Sequence, residues 1–225
     1  MQKEVLSGLN LDNGEPIYTQ EYIQSLRDTD KKHPDKLKII AQRGGQEDML
    51  SIDADIKICG GSRGGSKSFS SLMEVLKDIK NPDFHATILR NEKDDLQSLV
   101  TDSYKLFSQF GTYNKSQNDM TWNFDNGGWL KFSYYAGAYQ DFKTRFQGRQ
   151  YAYVCIDEGT QCPYKKFKYL LTNNRNAAHI RNRFWITCNP DPESWVRKFI
   201  DWWVTDEGYI DPERNGVIRY CFMDG

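Results

Sequence analysis

The segment GGSRGGSKS, residues 60 to 68, has the residue types of a loop that binds phosphate groups. Gly61, Lys67 and Ser68 match three of the four fixed positions of the pattern Gly-x4-Gly-Lys-Ser/Thr, and Ser66 stands where that pattern has glycine. An apolar strand precedes the segment and a helix follows it, so backbone N–H groups and the helix dipole would face a bound phosphate. The pattern predicts that Lys67 reaches the β and γ phosphates of a nucleoside triphosphate and that Ser68 is a ligand of Mg²⁺. The other candidates for nucleotide contact in this stretch are Ser62, Arg63, Gly64, Gly65 and Phe69.

Ser66 raises a conformational question within this loop. Serine adds only a small side chain where close approach to phosphate is needed, and it is tolerable there provided that its φ angle is negative, because residues with a Cβ rarely adopt positive φ. A glycine- and serine-rich turn from strand to helix, with no ligand, has the same local composition. The segment alone leaves that alternative open.

Two further strand ends carry polar groups suited to the same chemistry. Asp157 and Glu158 follow the apolar run YAYVCI, which predicts that the first acid lies near the metal and the second polarises the attacking water. An N-cap before the next helix would also explain the pair. Thr187 and Asn189, in WITCNPDP, could reach a γ-phosphate or its water, or form an Asn-Pro turn. Because parallel strands end at one edge of a sheet, we expect the three segments to meet.

The elements that must position these residues alternate between strands and helices from residue 55 onward. This alternation predicts an α/β fold with a mainly parallel central sheet flanked by helices. Asn126-Gly127-Gly128, within residues 120 to 135, predicts a β-hairpin that extends one edge of the sheet. We predict strands at 55–60, 85–90, 151–157, 183–190 and 216–223, and helices at 67–79, 94–110 and 195–203.

Composition limits the possible partners and ligands. The chain has 225 residues with 30 basic and 31 acidic side chains, so any contact with nucleic acid must be local. Five cysteines without a C-x-x-C pair, and only three histidines, argue against a metal site of these residues and for reduced thiols in a cytosolic protein. No leader or apolar run of membrane-spanning length is evident, so we expect no membrane association.

These motifs, in their order, resemble the ATPase domain of the large terminase subunit of tailed bacteriophages, the motor that packages DNA into proheads. The resemblance rests on QRGGQEDMLSIDADIKICGG, GGSRGGSKS, YVCIDEGTQ and TCNP and covers residues 40 to about 205. It implies a P-loop ATPase fold of the RecA-like (ASCE) type, with ATP and Mg²⁺ as cofactors. It also implies that Gln46 and Glu47 form an adenine-binding Q motif, that Arg63 senses the γ-phosphate, and that Thr187 to Asn189 form the coupling motif.

The resemblance further implies a mechanism and an assembly. Ser68 and Asp157 would hold Mg²⁺, Glu158 would position the lytic water, and an arginine finger would come from a neighbouring subunit. Where the family often has Arg-Gly, this sequence has Gln147-Gly148 with Arg145 and Arg149 on either side, so both are candidates. The implied partners are double-stranded DNA, the portal protein of the prohead, the small terminase subunit and further copies of the chain in a ring, in the host cell cytoplasm.

The resemblance also divides the chain. We expect a polar extension with the Q motif at residues 1–50, the ATPase core at 51–205, and the start of a lid or linker at 206–225. The nuclease domain that usually follows in the family is not expected within these residues, so DNA cleavage is not assigned to them.

Basic residues interleaved with aromatic ones suggest where DNA could contact the chain. They are Lys143, Arg145, Arg149 and the run YKKFK at residues 164 to 168, and an ordinary solvated face would have the same pattern. Two other functions remain possible on the sequence: a RecA-like helicase or repair ATPase, and a nucleotide-binding assembly module without appreciable turnover.

Overall fold

The computed structural model describes residues 41–42, 44–61, 66–114, 116, 119–189 and 191–220, together with the backbone of two short strands. These are β1 (Leu6–Ser7) and β2 (Lys38–Ile39), which pair in parallel with each other. No helix in this part of the chain is long and apolar enough to cross a bilayer.

A seven-stranded sheet forms the centre of the molecule, in the order β3-β9-β8-β4-β7-β6-β5. Neighbours from β3 to β7 in this order are parallel, whereas β7, β6 and β5 pair antiparallel. The predicted mainly parallel sheet is therefore confirmed. The strands are β3 (Ile56–Cys59), β4 (His85–Arg90), β5 (Gly111–Asn114), β6 (Thr121–Phe124), β7 (Trp129–Tyr134), β8 (Tyr153–Ile156) and β9 (Arg183–Thr187).

Helices cover both faces of this sheet, because side chains alternate along the buried strands. Tyr153 and Cys155 of β8 belong to one hydrophobic cluster, and Val154 and Ile156 belong to the other. The first cluster includes residues of α1 (Gly45–Ser51), α2 (Lys67–Val75) and α3 (Gln97–Phe107). The second includes residues of α4 (Tyr139–Phe146), α5 (Tyr164–Asn173) and α6 (Trp195–Phe199). The fold thus has three layers, with the sheet between two layers of helices, and the ends of the central strands lie at the edges of the sheet layer.

The hairpin predicted around Asn126 is present as β6 and β7, and it extends the sheet as expected. Gly127 has φ +107°, which the turn requires, and the Asn126 amide donates a hydrogen bond to the Ile79 carbonyl at 2.9 Å. Strand β5 and helices α1, α4 and α5 were not among the predicted elements. The sequence GTYN of β5 is too short and polar to indicate a strand, and it extends only because it pairs with β6.

The prediction of a strand at residues 216–223 is wrong for residues 216 to 220, the part of this range that the structure describes. Residues 216 to 220 form no strand. Val217, Ile218 and Tyr220 are 43%, 52% and 100% exposed, and no strand of the described part offers them a ladder of hydrogen bonds. Residues 221 to 223 lie outside the described part. The helix predicted at 67–79 ends as a regular helix at Val75 and continues as turns.

Candidate functional site

A cavity of about 680 Å³ lies at the carboxyl ends of β3, β8 and β9, beside the first turn of α2. Parallel strands commonly place ligand sites at this edge, because helix N-termini and strand ends converge there. The cavity is lined by nine residues that the sequence analysis named: Gln46, Ser66, Lys67, Ser68, Phe69, Asp157, Glu158, Thr187 and Asn189. It is also lined by Cys188, the middle residue of the predicted coupling motif, and by three residues that sequence reasoning missed: Gln42, Asp102 and Lys105.

Lys67 begins α2 and lies where it can meet phosphate. Its ammonium donates hydrogen bonds to the carbonyl of Gly61 at 2.9 Å and to Oδ1 of Asn189 at 3.3 Å. The loop residues predicted with it, Ser62 to Gly65 and so including Arg63, lie outside the described part. The lysine and the end of β9 are therefore in contact across the cavity.

Ser66 does not meet the condition of a negative φ. Its φ is +56° and its ψ 14°, in the left-handed region, while its carbonyl accepts hydrogen bonds from the N–H and hydroxyl of Ser70. A glycine is free of strain in this conformation, which explains why the general pattern has glycine there. Serine is held there because the carbonyl at position 66 already belongs to the first turn of α2.

Asp157 is the most connected polar group of the site, and it is fully buried. Its carboxylate accepts hydrogen bonds from the hydroxyls of Ser68, at 2.9 and 3.0 Å, and Thr187, and from Nε of Arg90 at 2.6 Å. Hydroxyl and carboxylate oxygens are the ligands that Mg²⁺ prefers, so Ser68 and Asp157 fit this cation. In the described residues no group of three or more His, Cys, Asp or Glu side chains could hold a metal. Phosphate and water oxygens would complete such a site.

Glu158 is held in an unusual backbone conformation at the mouth of the same site. Its φ is +59°, which is costly for a residue with a side chain and is typical of functional positions. The surroundings fix it: its N–H donates to the Thr187 hydroxyl at 3.2 Å, and its carbonyl accepts from the hydroxyl of Tyr135 at 3.1 Å. Oε2 accepts a hydrogen bond from the amide of Gln161 at 3.1 Å.

Thr187 lines the cavity and connects the two acids. Its hydroxyl donates to Asp157 and accepts from the N–H of Glu158. Asn189, two residues later, also reaches the cavity through Lys67.

Gln46 and Glu47, on α1, differ in their access to the cavity. Gln46 lines it, and its Oε1 accepts a hydrogen bond from the N–H of Gln42 at 2.7 Å. Glu47 is buried and does not line the cavity. Of the predicted pair, only the glutamine is placed to contact a ligand there.

The thiols next to the site are protonated at neutral pH. Burial raises the pKa of Cys59, at the end of β3, to about 12, and that of Cys188 to about 11, although Lys57 and Lys67 respectively oppose the shift. Neither thiol is a nucleophile under these conditions, since the thiolate is the reactive form.

A family model described as the terminase large subunit, T4likevirus-type, N-terminal, matches residues 58–220, which is more than half of the chain. The chain belongs to this terminase family. No curated protein sequence matches it significantly.

Solved terminase structures are similar to this chain in backbone. They include the large terminase of a thermophilic bacteriophage, with TM-score 0.55 and 18% identity over 70% of this chain and 43% of that one. The large terminase ATPase domain of Thermus phage P74-26 has TM-score 0.55 and 12% identity over 87% and 82%. The bacteriophage HK97 large terminase has TM-score 0.55 and 12% identity over 75% and 37%. Other structures of the first of these three proteins contain ADP or ATP-γ-S.

The likeness establishes the fold of the terminase chain as the P-loop (ASCE) ATPase fold that the sequence predicted. The chain spans less than half the length of the thermophilic bacteriophage and HK97 proteins. It spans most of the P74-26 ATPase domain.

The two candidate finger arginines of the terminase chain lie away from the cavity beside α2, at a second cavity of about 220 Å³. The guanidinium of Arg145 stacks on the ring of Tyr134 at 3.7 Å and donates to the Tyr134 carbonyl at 2.7 Å. Arg149 is exposed, and its Nε donates to the carbonyl of Arg145 at 3.0 Å. Lys93 and Lys131 also line this cavity, which gives it a cationic wall.

One lysine of the YKKFK run is not on the surface of the terminase chain. Lys166 is buried, and its ammonium donates to the carbonyls of Tyr135 and Gly137, at 2.5 and 2.7 Å. The suggestion that it contacts DNA is wrong, because its charge serves to hold the end of β7 to α5. Lys165 is exposed and lies over the ring of Tyr139 at 4.0 Å.

Arg90 is the main residue of the site that sequence reasoning missed. It is the last residue of β4, adjacent to β8 in the sheet, and so it ends beside Asp157. The signal was present, since Arg90 is a polar residue at the carboxyl end of a predicted strand, the same criterion that identified Asp157 and Asn189.

Proposed function

We propose that this chain binds Mg-ATP in the cavity at the carboxyl edge of its sheet and hydrolyses it as the motor of viral DNA packaging. The observation that carries the proposal is the convergence of Lys67, Asp157, Glu158 and Asn189 around one cavity, from three separate strand ends. The ADP and ATP-γ-S in structures of the thermophilic bacteriophage terminase support nucleotide binding in this fold.

Each residue has a role that follows from its chemistry. Lys67 and the first turn of α2 offset phosphate charge, while Ser68 and Asp157 hold Mg²⁺, which when bound would shield the phosphate oxygens. Glu158 orients the lytic water, and Thr187 positions both acids. Gln46 contacts the adenine, and Arg63 senses the γ-phosphate. Gly61, Ser66 and Phe69 shape the nucleotide pocket, together with Ser62, Gly64 and Gly65.

The proposed division of the chain follows the same roles. Residues 1–50 supply the Q motif, 51–205 form the ATPase core, and 206–225 begin a lid or linker.

The test replaces the proposed base without changing its shape. Glu158→Gln should leave ATP binding within about threefold of the starting protein and lower turnover by roughly 10² to 10⁴. The matched control is Glu213→Gln, since Glu213 is exposed and outside the cavity. ATP binding is measured by titration with a fluorescent analogue, and turnover by phosphate release in packaging assemblies. Undiminished turnover in Glu158→Gln would remove Glu158 from the base role.

Ring assembly would supply an arginine in trans, and we propose Arg149 for this part. Arg145 is committed to Tyr134 through both stacking and a hydrogen bond, whereas Arg149 is exposed next to Gly148, which has φ +74°. Loss of a finger can reduce turnover by roughly 10³ to 10⁵. Mixing Arg149→Ala with Glu158→Gln subunits should restore part of the activity that each lacks alone, because some interfaces then combine an intact finger with an intact site. Mixtures as inactive as the separate variants would exclude Arg149.

The proposed partners are double-stranded DNA, the portal protein of the prohead and the small terminase subunit. For the DNA we propose a phosphate-tracking surface of Lys143, Lys165 and Lys168. Removing Lys165 and Lys168 together should weaken DNA binding equally for all sequences and lower the dependence of binding on salt. The same affinity and salt dependence in the double variant would exclude this surface.

A further inference from the structure

Arg90 makes the only charged contact with Asp157 among the described residues, and it is itself tightly fixed. Besides the bond from its Nε to Asp157, its Nη1 donates to the carbonyl of Asp95 at 2.7 Å and to the hydroxyl of Ser98 at 3.0 Å. Its side chain is 15% exposed. The anchors just before α3 and in its first turn keep the guanidinium beside the carboxylate, because a swing away would break all of these bonds.

Asp157 has hydrogen-bond donors other than Arg90. Hydroxyls of Ser68 and Thr187 already hold both oxygens of the carboxylate in place. These donors are neutral. What Arg90 adds is a full positive charge at 2.6 Å from Oδ2, in a place where little water can screen it.

Around the proposed cation site, the charged side chains that the structure describes therefore balance one another. Among the described residues at this point, Asp157 and Glu158 are negative, while Arg90 and Lys67 are positive. Asp102 and Lys105, on the facing side of the cavity, pair with each other at 2.6 Å. From the described residues, a divalent cation that approaches the oxygens of Ser68 and Asp157 meets no net negative charge.

We propose that Arg90 is a built-in counter-ion of Asp157, which makes binding of a divalent cation depend on the phosphates of a nucleotide. The inference rests on the proposed function, since it takes Ser68 and Asp157 as the cation ligands. Nucleotide phosphates bring the negative charge that the site itself lacks, so the cation enters with the nucleotide and not before it. Arg90 thus acts through Asp157 on the order in which nucleotide and cation bind.

The experiment measures cation binding directly, without turnover. Mn²⁺ is titrated into the full chain with and without ADP, and free Mn²⁺ is followed by electron paramagnetic resonance. Arg90→Met removes the charge and keeps much of the apolar stem. It should bind Mn²⁺ alone at least about tenfold more tightly than the starting protein, and ADP should then strengthen binding less. Arg90→Lys keeps the charge and should stay within about threefold of the starting protein.

The result that would overturn the inference is a folded Arg90→Met protein, by circular dichroism, that binds Mn²⁺ alone no more tightly than the starting protein. Arg90→Gln is a second neutral variant, in case Arg90→Met does not fold. If neither neutral variant folds, the charge serves folding and the inference falls.

Asp157→Asn separates this failure from failure of the proposed function. If Asp157→Asn leaves binding of Mn²⁺ with ADP unchanged, the cation does not lie at Asp157 and the proposed cation site is wrong. If Asp157→Asn weakens that binding while the neutral Arg90 variants behave like the starting protein, only the counter-ion inference is wrong.

Discussion

The ammonium of Lys67 lies 3.3 Å from Oδ1 of Asn189, although the two residues are 122 positions apart in the sequence. The contact joins the first turn of α2 to the segment after β9. It gives Lys67 a neutral partner that a phosphate oxygen can replace at little cost, because the ammonium exchanges one oxygen acceptor for a charged one.

Asn189→Asp tests the neutrality of that partner. A carboxylate at this position would form an ion pair with Lys67 and oppose the triphosphate, so we expect ATP affinity to fall by about tenfold or more. Asn189→Ala only removes the partner of Lys67, so its ATP affinity should stay within a few-fold of that of the starting protein. Both affinities are measured by titration with a fluorescent ATP analogue. Equal effects of the two variants would show that charge at residue 189 is not felt by the nucleotide.

The Thr187 hydroxyl is expected to matter for both stability and turnover. Thr187→Val keeps the volume but leaves the N–H of Glu158 and one oxygen of Asp157 without this partner, at a cost of about 1–3 kcal/mol in the free energy of unfolding. Turnover should also fall, since Glu158 loses a bond that fixes it. Thr187→Ser keeps the hydroxyl and is the control. Urea unfolding and phosphate release are the measurements, and a serine variant as impaired as valine would contradict the expectation.

Ser66→Gly should be tolerated and slightly stabilising. The left-handed conformation of Ser66 costs roughly 1–2 kcal/mol, which glycine avoids, while the greater freedom of glycine in the unfolded chain takes back about 0.5–1 kcal/mol. Ser66→Val, with a β-branched side chain, should lower stability by more than about 1 kcal/mol. Thermal unfolding distinguishes the two variants. A clear loss of stability in the glycine variant would mean that the side chain of Ser66 itself stabilises the folded protein.

Glu74, on α2, is fully buried among cationic side chains. Burial alone would raise its pKa, but ion pairs with Lys77 at 2.9 Å, with Lys57 and with Arg183 lower it below the usual value. Glu74→Gln leaves these cations buried without that charge, so we expect a loss of about 3–5 kcal/mol in urea unfolding. Glu193→Gln, at an exposed position, is the control and should change stability by less than about 0.5 kcal/mol.

Alkaline pH should destabilise the protein through its buried thiols. Burial raises the pKa of Cys59 and Cys162 to about 12 and that of Cys188 to about 11, from an ordinary value near 9. The contribution of these thiols to the free energy of unfolding is complete below pH 9. It is lost as the pH rises from 9 towards 11 to 12, because over this range only the unfolded chain releases the thiol protons. Burial lowers the pKa of Lys77 to about 8, which adds stability between pH 8 and 10.5, but one lysine opposes several thiols.

The measurement for this prediction is the urea midpoint at about pH 8 and at about pH 10.5. We expect the midpoint to be lower at the higher pH, and the difference to be smaller in Cys59→Ala. An unchanged pH dependence in that variant would show that Cys59 does not contribute to it.

The sequence predicted the strands whose ends carry the polar residues better than the elements around them. Strands β4, β8 and β9 are apolar runs that stop at polar residues, a pattern that a single sequence shows clearly. Strand β5 depends on its partner β6, and the φ of Ser66 depends on how α2 begins. The burial of Lys166 depends on carbonyls of residues 135 and 137, which approach it only in the folded chain.

The parallel register of β8 and β9 has a consequence for how such chains diverge. Ile156 lies opposite Ile186, which brings Asp157 beside Thr187. Inserting one residue into either strand would turn every later side chain to the other face of the sheet and separate the acid from its hydroxyl partner. Lineages that keep this site are therefore free to exchange apolar side chains along the two strands, but single-residue insertions and deletions within them should be eliminated by selection.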